Sequence, residues 1–342
     1  MAELPEVHSI LAISVSRIGD TILATPTLRA IAAAWPAARL EFLGHPKRAE
    51  IIRNLPFVRR VATISKHSAP LRGWLSGRRY DLAFVFGHDR PLIEYALRVA
   101  HRVIAFRQAD ESLNRRLYRV ARPPAFLTVH AVQAQLSIVA PLGIAHAGHH
   151  LSYQVTEDER RWAGEELRRV GIADARPLIG LQVASFPTKA YRDWPIESFI
   201  EICHRARERH PQAHFLIFGG KLEGERTLRL HAELRGCSSH YAGRLSLRQT
   251  AALMDRIDLY VGVDTGPTHI MGALHRPMVA LYHPYSPSWL LAPLEHPCLY
   301  VVDHPQAGAG CSPDTPMAGI SVDQVWSRVT EALARHFSMP NS

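Results

Sequence analysis

The sequence predicts an α/β fold made of two units, each built around a parallel sheet. Short apolar runs alternate with amphipathic stretches along the chain, as a parallel sheet covered by helices requires. The chain has 342 residues, enough for two domains of ordinary size. The alternation breaks once, between residues 141 and 176, where PLGIAHAGHH precedes a charged stretch. We therefore expect a domain boundary in that region.

Each predicted element follows from its apolar period and from the residues that bound it. In the first half, strands are predicted at 9–15, 39–44, 59–64, 81–87 and 102–106, and helices at 20–34, 46–53, 90–100 and 129–140. In the second half, strands are predicted at 177–183, 214–220, 259–263 and 277–282, and helices at 156–170, 196–209, 222–235, 246–255, 266–274 and 321–336.

The composition narrows the class of protein. Hydrophobic residues make up 47% and charged residues 21%, which indicates a globular chain. No apolar run approaches 18 residues, so no transmembrane helix is expected, and MAELPEVHS lacks the basic region of a secretory signal. The four cysteines are scattered without CxxC spacing, which favours neither a disulfide framework nor a zinc site. A reducing cytoplasm is the simplest setting.

The net charge of +9 indicates an acidic partner, such as nucleic acid, an anionic membrane face or a phosphorylated substrate. Seven arginines lie between Arg98 and Arg122, against two acids, Asp110 and Glu111. This stretch is either a solvated helix face or an anion-binding surface, and both interpretations stay open. Little aromatic interleaving and no nucleic-acid motif accompany it, so we expect no nucleic-acid partner.

Ligands of open α/β sheets bind beyond the carboxyl ends of the strands, and Asp20 lies at such a place. As a structural residue, an aspartate that caps a helix start stabilises it by roughly 0.5–2 kcal/mol. As a functional residue, a carboxylate that is ionised at neutral pH accepts a proton from a nucleophile at the rim of a cleft. The two roles are compatible, and Gly19 allows a close approach and an unusual backbone angle.

The segment VGVDTGPTHIMGAL offers a second site. A β-rich run ends at Asp264, and Thr265 and Gly266 then open a helix. Backbone N–H groups at that end, with the Thr265 hydroxyl, suit a phosphate. Asp264 suits a sugar hydroxyl or a metal, and His269 lies near the same end. The alternative is a capping role for the acid and a surface position for His269.

Two further loops follow predicted strands. QVASFPTKAYRDWPIESF places Thr188, Lys189 and Arg192 on one loop, where two cations and a hydroxyl suit a phosphate, although a plain basic surface loop is equally consistent. FGGKLEGER is a Gly-rich turn with Glu223 just inside the next helix, where an acid can bind ribose hydroxyls. The chain contains no GxGxxG, GxSxG, Walker A or HExxH motif, and no metal site is predicted.

Taken together, these segments resemble glycosyltransferase family 9, the ADP-heptose:lipopolysaccharide heptosyltransferases. RIGDTILATPTLRAI resembles the family's first strand–turn–helix, and VDTGPTHIMGALHRPMVALY resembles its donor-binding segment. The loop SFPTK…WP…F and the turn GGKLEGER fall between them in the expected order. The resemblance spans nearly the full length. It implies a GT-B fold, with two Rossmann-like domains whose parallel sheets face a central cleft.

The resemblance also assigns roles. Residues 1–155 would bind the acceptor, 156–320 the nucleotide-sugar, and 321–342 would form a C-terminal helix and tail. Asp20 matches the catalytic base of an inverting transfer from ADP-L-glycero-D-manno-heptose to a hydroxyl of the Kdo/heptose–lipid A core. The donor-site positions would be Thr188, Lys189, Arg192, Glu223, Asp264, Thr265, Gly266 and His269. The acceptor-site positions would be Gly19 and, in the arginine-rich stretch, Arg115, Arg116 and Arg119.

The implied partners are an ADP-sugar, a phosphorylated glycolipid acceptor and the anionic inner leaflet, for a cytoplasmic protein peripherally associated with the inner membrane. No cofactor is required, with Mg²⁺ assistance at the diphosphate left open. Lys189 and Arg192 both match the family's basic position, so the cation that contacts the diphosphate is also open. HPYSPSW, at 283–289, replaces the family's frequent Gly-Pro-Thr-Asp-Pro near the transferred sugar.

That replacement leaves alternatives. A family 9 transferase with another nucleotide-sugar donor or an acceptor outside the core has the same mechanism. A Rossmann-type oxidoreductase is less favoured because neither half has GxGxxG. A non-catalytic sugar-nucleotide-binding protein is less favoured because Asp20, DTGPTH and the basic loop are all present.

Overall fold

The computed structural model describes residues 6–74, 77–125, 127–308 and 311–337. The chain divides into two compact units, with the division between Gln154 and Val155. Each unit contains one six-stranded sheet in which every neighbouring pair of strands is parallel. An all-parallel sheet needs helices on both faces, and the alternation of strands and helices in the sequence supplies them.

The sheet of the first unit has the order β3-β2-β1-β4-β5-β6. Its strands are β1 (Ser9–Ser14), β2 (Arg39–Gly44), β3 (Arg60–Thr63), β4 (Tyr80–Phe86), β5 (Ala100–Phe106) and β6 (Arg119–Ala121). Its helices are α1 (Ile18–Leu23), α2 (Thr25–Ala34), α3 (Arg90–Val99), α4 (Glu111–Asn114) and α5 (Ala131–Leu136), with 3₁₀ turns at Ala49–Ile52, Ala69–Leu71 and Ala140–Leu142.

The central strand β1 shows why the sheet sits in the core. Its residues from Ile10 to Ile13 are fully buried, so both faces are covered and the run is apolar without alternation. Leu11 and Ile13 pack in one cluster with Ile93 and Ala96 of α3. A strand buried on both faces fixes the position of whatever follows its carboxyl end.

The sheet of the second unit has the order β12-β11-β10-β7-β8-β9. Read from the β9 edge, this is the same order as in the first sheet, with the first strand of the unit beside the fourth. Its strands are β7 (Leu178–Gln182), β8 (His214–Phe218), β9 (Ser238–His240), β10 (Leu259–Val263), β11 (Met278–Tyr282) and β12 (Leu299–Asp303). Its helices are α6 (Glu157–Arg169), α7 (Ile196–Arg209), α8 (Gly224–Glu233), α9 (Leu247–Met254), α10 (Gly266–Leu274), α11 (Ser288–Leu291) and α12 (Val322–His336). Its 3₁₀ turns are Pro187–Arg192, Lys221–Glu223 and Met317–Gly319.

The nine predicted strands are confirmed to within two residues at each end, and β6, β9 and β12 were missed. The missed strands are edge strands: β6 and β9 have three residues each, and β12 alternates buried and half-buried positions. Three helix predictions are wrong in detail. The stretch 20–34 forms two helices, α1 and α2, 46–53 contains only a 3₁₀ turn, and 129–140 contains the shorter helix α5. The short helices α4 and α11 were missed. Within the described residues, no helix has the length and apolar character needed to cross a bilayer.

Candidate active site

In each sheet, the strand order reverses beside the first strand of the unit, between β1 and β4 and between β7 and β10. Ligands of doubly wound folds bind beyond the carboxyl ends of the strands at this switch point. Asp20 follows β1, the loop with Arg192 follows β7, and Asp264 follows β10. Three predicted site residues therefore lie at the two switch points.

Asp20 is the third residue of α1, and the prediction that it caps this helix is wrong. The cap position belongs to Arg17, whose carbonyl accepts the Thr21 N–H at 3.0 Å. The helix begins earlier than expected because Ile18 and Gly19 already have helical backbone, so Gly19 adopts no unusual angle. An acid in the first turn is still favoured by the helix dipole. The Asp20 side chain is exposed, and within the described residues no side-chain contact engages it.

The turn that carries Asp20 is held by hydroxyl groups. The Ser16 hydroxyl lies 3.0 Å from that of Ser14 and 3.1 Å from that of Thr21. Arg48 also donates to the Ser16 carbonyl at 2.9 Å. These contacts link the end of β1 to the first turn of α1. Asp20 thus projects from a fixed support with its carboxylate available to an incoming proton donor.

The predicted acceptor arginines lie elsewhere in the first unit. Arg115 and Arg116 are exposed after α4, and Arg119 begins β6. The Arg119 guanidinium lies 4.4 Å from the centre of the Tyr118 ring, and that of Arg102 lies 5.6 Å from it. Since β6 is three strands from β1, Arg119 lies roughly 14 Å to the side of β1, at about 4.8 Å per strand. The strand order therefore separates the start of β6 from the turn that carries Asp20.

In the second unit, the structure brings Arg192, Asp264 and His269 together. Arg192 Nη1 donates to Asp264 Oδ2 at 2.6 Å, and Asp264 Oδ1 lies 3.4 Å from His269 Nε2. The side chain of Asp264 is 1% exposed, and that of Arg192 is 20% exposed. The pair joins the loop after β7 to the end of β10, which are neighbouring strands. This contact connects the two segments that follow β7 and β10 at the switch point of the second sheet.

The protonation of Asp264 follows from its neighbours. Burial raises the pKa of this carboxyl, but the Arg192 guanidinium and the His269 ring more than offset the burial and hold it below its ordinary value. Asp264 is therefore a carboxylate at neutral pH, engaged by a cation. His269 is buried within α10, so the alternative that placed it at the surface is wrong. Its Nδ1 has no hydrogen-bond partner within the described residues, and a ligand could supply one.

The start of α10 has the predicted bounds, with Thr265 just before the helix and Gly266 as its first residue. The Thr265 N–H donates to Thr268 Oγ1 at 3.3 Å, and the Thr268 hydroxyl donates to the Val263 carbonyl at 2.6 Å. Thr268 thus fixes the turn from its buried side. The first-turn N–H groups of α10 give this end of the helix the positive potential that favours an anion.

The basic loop places its two cations on one aromatic ring. Lys189 Nζ lies 5.4 Å from the centre of the Tyr191 ring, and the Arg192 guanidinium lies 5.6 Å from it. The same ring meets His283 edge-on, with centroids 4.9 Å apart. Lys189 interrupts the 3₁₀ turn with a φ of −130°, and Thr188 beside it is exposed. Tyr191 therefore holds the cationic loop against the residues after β11.

Glu223 lies in the 3₁₀ turn that precedes α8, not inside that helix as expected. Its Oε2 accepts the Gly220 N–H, which ties the carboxylate to the backbone at the start of the turn. Burial raises the pKa of Glu223, and the nearby Asp193 adds to the rise. The carboxylate is thus fixed at the carboxyl end of β8, next to the β7 loop.

A family model described as glycosyltransferase family 9 (heptosyltransferase) matches residues 95–307. The chain belongs to glycosyltransferase family 9. It is therefore a glycosyltransferase. Lipopolysaccharide heptosyltransferase 1 of Pseudomonas aeruginosa is 28% identical over 301 residues, which cover 82% of this chain and 80% of that protein.

Two solved structures show the fold of this family 9 enzyme. The E. coli ADP-heptose lipopolysaccharide heptosyltransferase II superposes with a TM-score of 0.78 at 20% identity and covers 96% of this chain and 100% of its own. The E. coli heptosyltransferase WaaC with ADP superposes with a TM-score of 0.68 at 18% identity and covers 95% of this chain and 99% of its own. The fold is GT-B, with two six-stranded parallel sheets.

Three contact residues of this family 9 enzyme escaped the sequence analysis. Tyr191 and His283 support the cationic loop. His283 directly follows β11 and could have been noticed for that reason, whereas Tyr191 lies late in the loop after β7. Arg226 donates to the carbonyls of Val183 and Trp194, at the two ends of the loop after β7. An arginine in α8 has the pattern of a surface residue, so no sequence signal indicated this role.

Proposed function

We propose that the enzyme transfers heptose from ADP-L-glycero-D-manno-heptose to a hydroxyl of the lipopolysaccharide core, on a Kdo/heptose–lipid A acceptor. The family supports glycosyl transfer. The names of the relatives support heptose and lipopolysaccharide, and the ADP in one superposed structure supports the nucleotide. The observation that carries the proposal is the Arg192–Asp264–His269 group at the switch point, beside the amino end of α10.

The donor diphosphate would bind at the amino end of α10, where N–H groups and the helix dipole favour an anion. The Arg192 guanidinium is already paired with the Asp264 carboxylate at 2.6 Å. Lys189 is therefore the cation of this loop that would bind the diphosphate. Arg192 then acts as a positioning residue, since it fixes Asp264. Thr188 is exposed beside Lys189 and offers a hydroxyl to the same group.

The remaining donor contacts follow from the same frame. Glu223 would accept hydrogen bonds from ribose hydroxyls, because its carboxylate is fixed by Gly220 at the end of β8. His269 would give its unpartnered Nδ1 to the donor. Asp264 would orient the sugar through the lone pairs that Arg192 leaves free. Gly266 would present the first backbone N–H group of α10, and Thr265 its hydroxyl.

Asp20 would act as the general base in the first unit, which would bind the acceptor. The acceptor hydroxyl loses its proton to the Asp20 carboxylate while its oxygen bonds to the anomeric carbon from the face opposite the leaving group. The bond from that carbon to the diphosphate oxygen breaks, and ADP leaves with the electron pair. The configuration inverts in one step. Lys189 and the α10 amides stabilise the charge that develops on ADP.

We propose no required cofactor, since Lys189 and the helix amides supply the charge that the leaving group needs. The reaction would take place at the cytoplasmic face of the inner membrane, where a nucleotide-sugar meets a lipid-anchored acceptor. The arginines Arg115 and Arg116, exposed in the first unit, would face the phosphorylated part of that acceptor. Gly19 would allow the acceptor to approach beside Asp20.

The test is a calorimetric comparison of ADP, UDP, GDP and NADH binding to the purified protein, followed by an assay with ADP-heptose and a Kdo–lipid A acceptor. Binding of ADP and transfer of heptose support the proposal. Preference for UDP or GDP replaces the donor and keeps the reaction class. Binding of NADH instead of any nucleoside diphosphate would contradict the reaction class for this chain.

A different sugar on the same nucleotide is the second candidate, and the loop 283–289 motivates it. His283 is buried and held by the Thr315 carbonyl at 2.8 Å, and the Ser286 hydroxyl is buried without a hydrogen-bond partner within the described residues. A buried free hydroxyl beside the donor site is suited to a sugar hydroxyl. Competition of ADP-heptose against ADP-glucose in the transfer assay distinguishes the two donors.

A further inference from the structure

Residues 69–74, between β3 and β4, form a turn that we call the Trp74 turn. It presents Leu71, which is 86% exposed, and Trp74, which is 71% exposed. These are the two highest exposures among the large apolar side chains of the described residues. Single exposed apolar residues are common on surfaces, but two that share one turn indicate a contact surface.

The Trp74 turn is anchored by the buried Ala69 and by contacts with α3, while Leu71 and Trp74 stay exposed. The Trp74 indole donates its N–H to the Pro70 carbonyl at 2.8 Å, and the Arg98 guanidinium lies 4.9 Å from its ring centre. Arg98, in the last turn of α3, also donates to the carbonyls of Ala69 at 2.7 Å and Arg72 at 3.1 Å. Because the indole N–H is already satisfied, the exposed part of Trp74 can enter an apolar medium without losing a hydrogen bond.

The charged residues of the segment that contains the Trp74 turn have one sign. Residues 65–80 contain four basic residues, Lys66, Arg72, Arg78 and Arg79, and no Asp or Glu. Arg72 and Arg78 are exposed, and Arg98 adds a charge from α3. A tryptophan and a leucine surrounded by arginines match a partner with an apolar interior and an anionic surface.

We propose that the Trp74 turn docks on the anionic face of a lipid bilayer. Leu71 and Trp74 enter the interfacial region, and Arg72, Arg78 and Arg98 meet lipid phosphates. The inference deepens the proposed function and rests on it, because that function requires an acceptor anchored in lipid. Single-stranded nucleic acid fits less well, since Arg98 covers one face of Trp74 and Leu71 offers no stacking surface.

The experiment is sedimentation of the full chain with vesicles of phosphatidylethanolamine and phosphatidylglycerol, and with vesicles of phosphatidylcholine alone. The test variant is Leu71→Ala with Trp74→Ala. The matched control is Leu228→Ala with Trp289→Ala, because these are an exposed leucine and an exposed tryptophan of the second unit. Circular dichroism melts check that each variant folds. Should the test variant fail to fold, Arg72→Ser with Arg78→Ser tests the same surface through its charge.

We expect the wild type and the control to bind anionic vesicles equally and phosphatidylcholine weakly. The test variant should lose about a hundredfold in partitioning, because burial of each of its two large apolar side chains is worth roughly a factor of ten. Added salt should weaken wild-type binding, since the lipid attraction is partly electrostatic. Equal vesicle binding by the wild type and the test variant overturns the proposal. So does a loss of self-association or of single-stranded RNA binding in the test variant with vesicle binding unchanged.

Failure of the docking surface and failure of the proposed function give different results. If the surface is correct, the test variant transfers sugar normally to a deacylated acceptor in solution and loses turnover on an acceptor embedded in vesicles. If the function is wrong, ADP-heptose is not consumed with either acceptor, whatever the vesicle binding. If only the surface is wrong, both acceptors are used by the test variant at the wild-type rate.

Discussion

The buried pair of Arg192 and Asp264 gives the prediction that the structure defines best. We replace Arg192 by Met, Asp264 by Ala, and both together, and compare the free energies of unfolding in a double-mutant cycle. The control cycle uses Arg205→Met and Asp323→Ala, whose ion pair has the similar distance of 2.7 Å but an Asp323 side chain that is 85% exposed. The two cycles therefore differ mainly in burial.

The expected magnitude follows from that burial. Removing one partner of a buried pair costs about 3–5 kcal/mol, because it leaves the other charge unpaired away from water. Arg192→Met leaves the fully buried Asp264 carboxylate and should cost about 4 kcal/mol. Asp264→Ala leaves an arginine that is 20% exposed and should cost about 3 kcal/mol. The double variant leaves no charge unpaired and should cost less than either single variant, about 2 kcal/mol for the lost packing, so the coupling is about 5 kcal/mol.

Urea titration followed by hydrogen exchange of peptides from β10 and α10 measures the second unit separately from the first. The pKa of Asp264 is below its ordinary value in the folded protein, so its contribution is present above about pH 4 and is lost only as pH falls through the folded pKa. The coupling should therefore persist at pH 5. A coupling below about 1 kcal/mol, the range of exposed pairs, would show that the pair does not hold the switch point.

Four further predictions concern catalysis, binding and acid stability. Asp20→Ala should lower turnover by about a hundredfold or more and leave the ADP Kd within about twofold. The control Glu111→Ala, also in the first turn of a short helix, should keep the wild-type turnover. An equal fall in ADP affinity in Asp20→Ala would contradict the base assignment. Lys189→Ala should weaken ADP binding about tenfold or more by calorimetry, with Arg205→Ala as the neutral control; a larger loss in Arg192→Ala than in Lys189→Ala would exchange their roles. Burial lowers the pKa of His214 and of His296 to about 4, so these rings bind protons more readily in the unfolded chain. The free energy of unfolding should therefore fall by roughly 2 kcal/mol per ring as pH drops from about 6.5 to about 4. His214→Gln and His296→Gln should each flatten this pH profile, and profiles parallel to that of the wild type would refute the linkage. Heptose transfer should continue in EDTA at an unchanged rate, and recovery on adding Mg²⁺ after a loss would assign the metal a role.

The fold was predictable where apolar period and burial agree. β10 is buried along its whole length and β1 from Ile10 onward, and the apolar runs in their sequences show it. The short edge strands β6 and β9 have three residues each, so they carry too little pattern to be distinguished from loops. The division of residues 20–34 into two helices also escaped prediction, although Pro26 lies at the start of α2 and marks the break.

The candidate site was predictable in its members and not in its contacts. Asp264, Thr265 and Glu223 follow strands, and the rule for open sheets finds them. The pairing of Arg192 with Asp264 depends on β7 and β10 becoming neighbours, although 72 residues separate the two side chains. Spacing along the chain contains no information on that contact. Burial of His269 likewise depends on how α10 packs, because its helix is apolar on most sides.

The two acids show how environment divides the chemistry between residues of one type. Asp264 is buried and held as a carboxylate by Arg192, so taking up a proton would break the ion pair that fixes the switch point. Asp20 is exposed on a fixed turn, and within the described part of the chain its carboxyl group has no hydrogen bond or ion pair that a ligand would have to displace. An acid that must accept and release a proton in each turnover needs the second environment. This difference supports the proposal that Asp20 acts as the base and that Asp264 holds the donor.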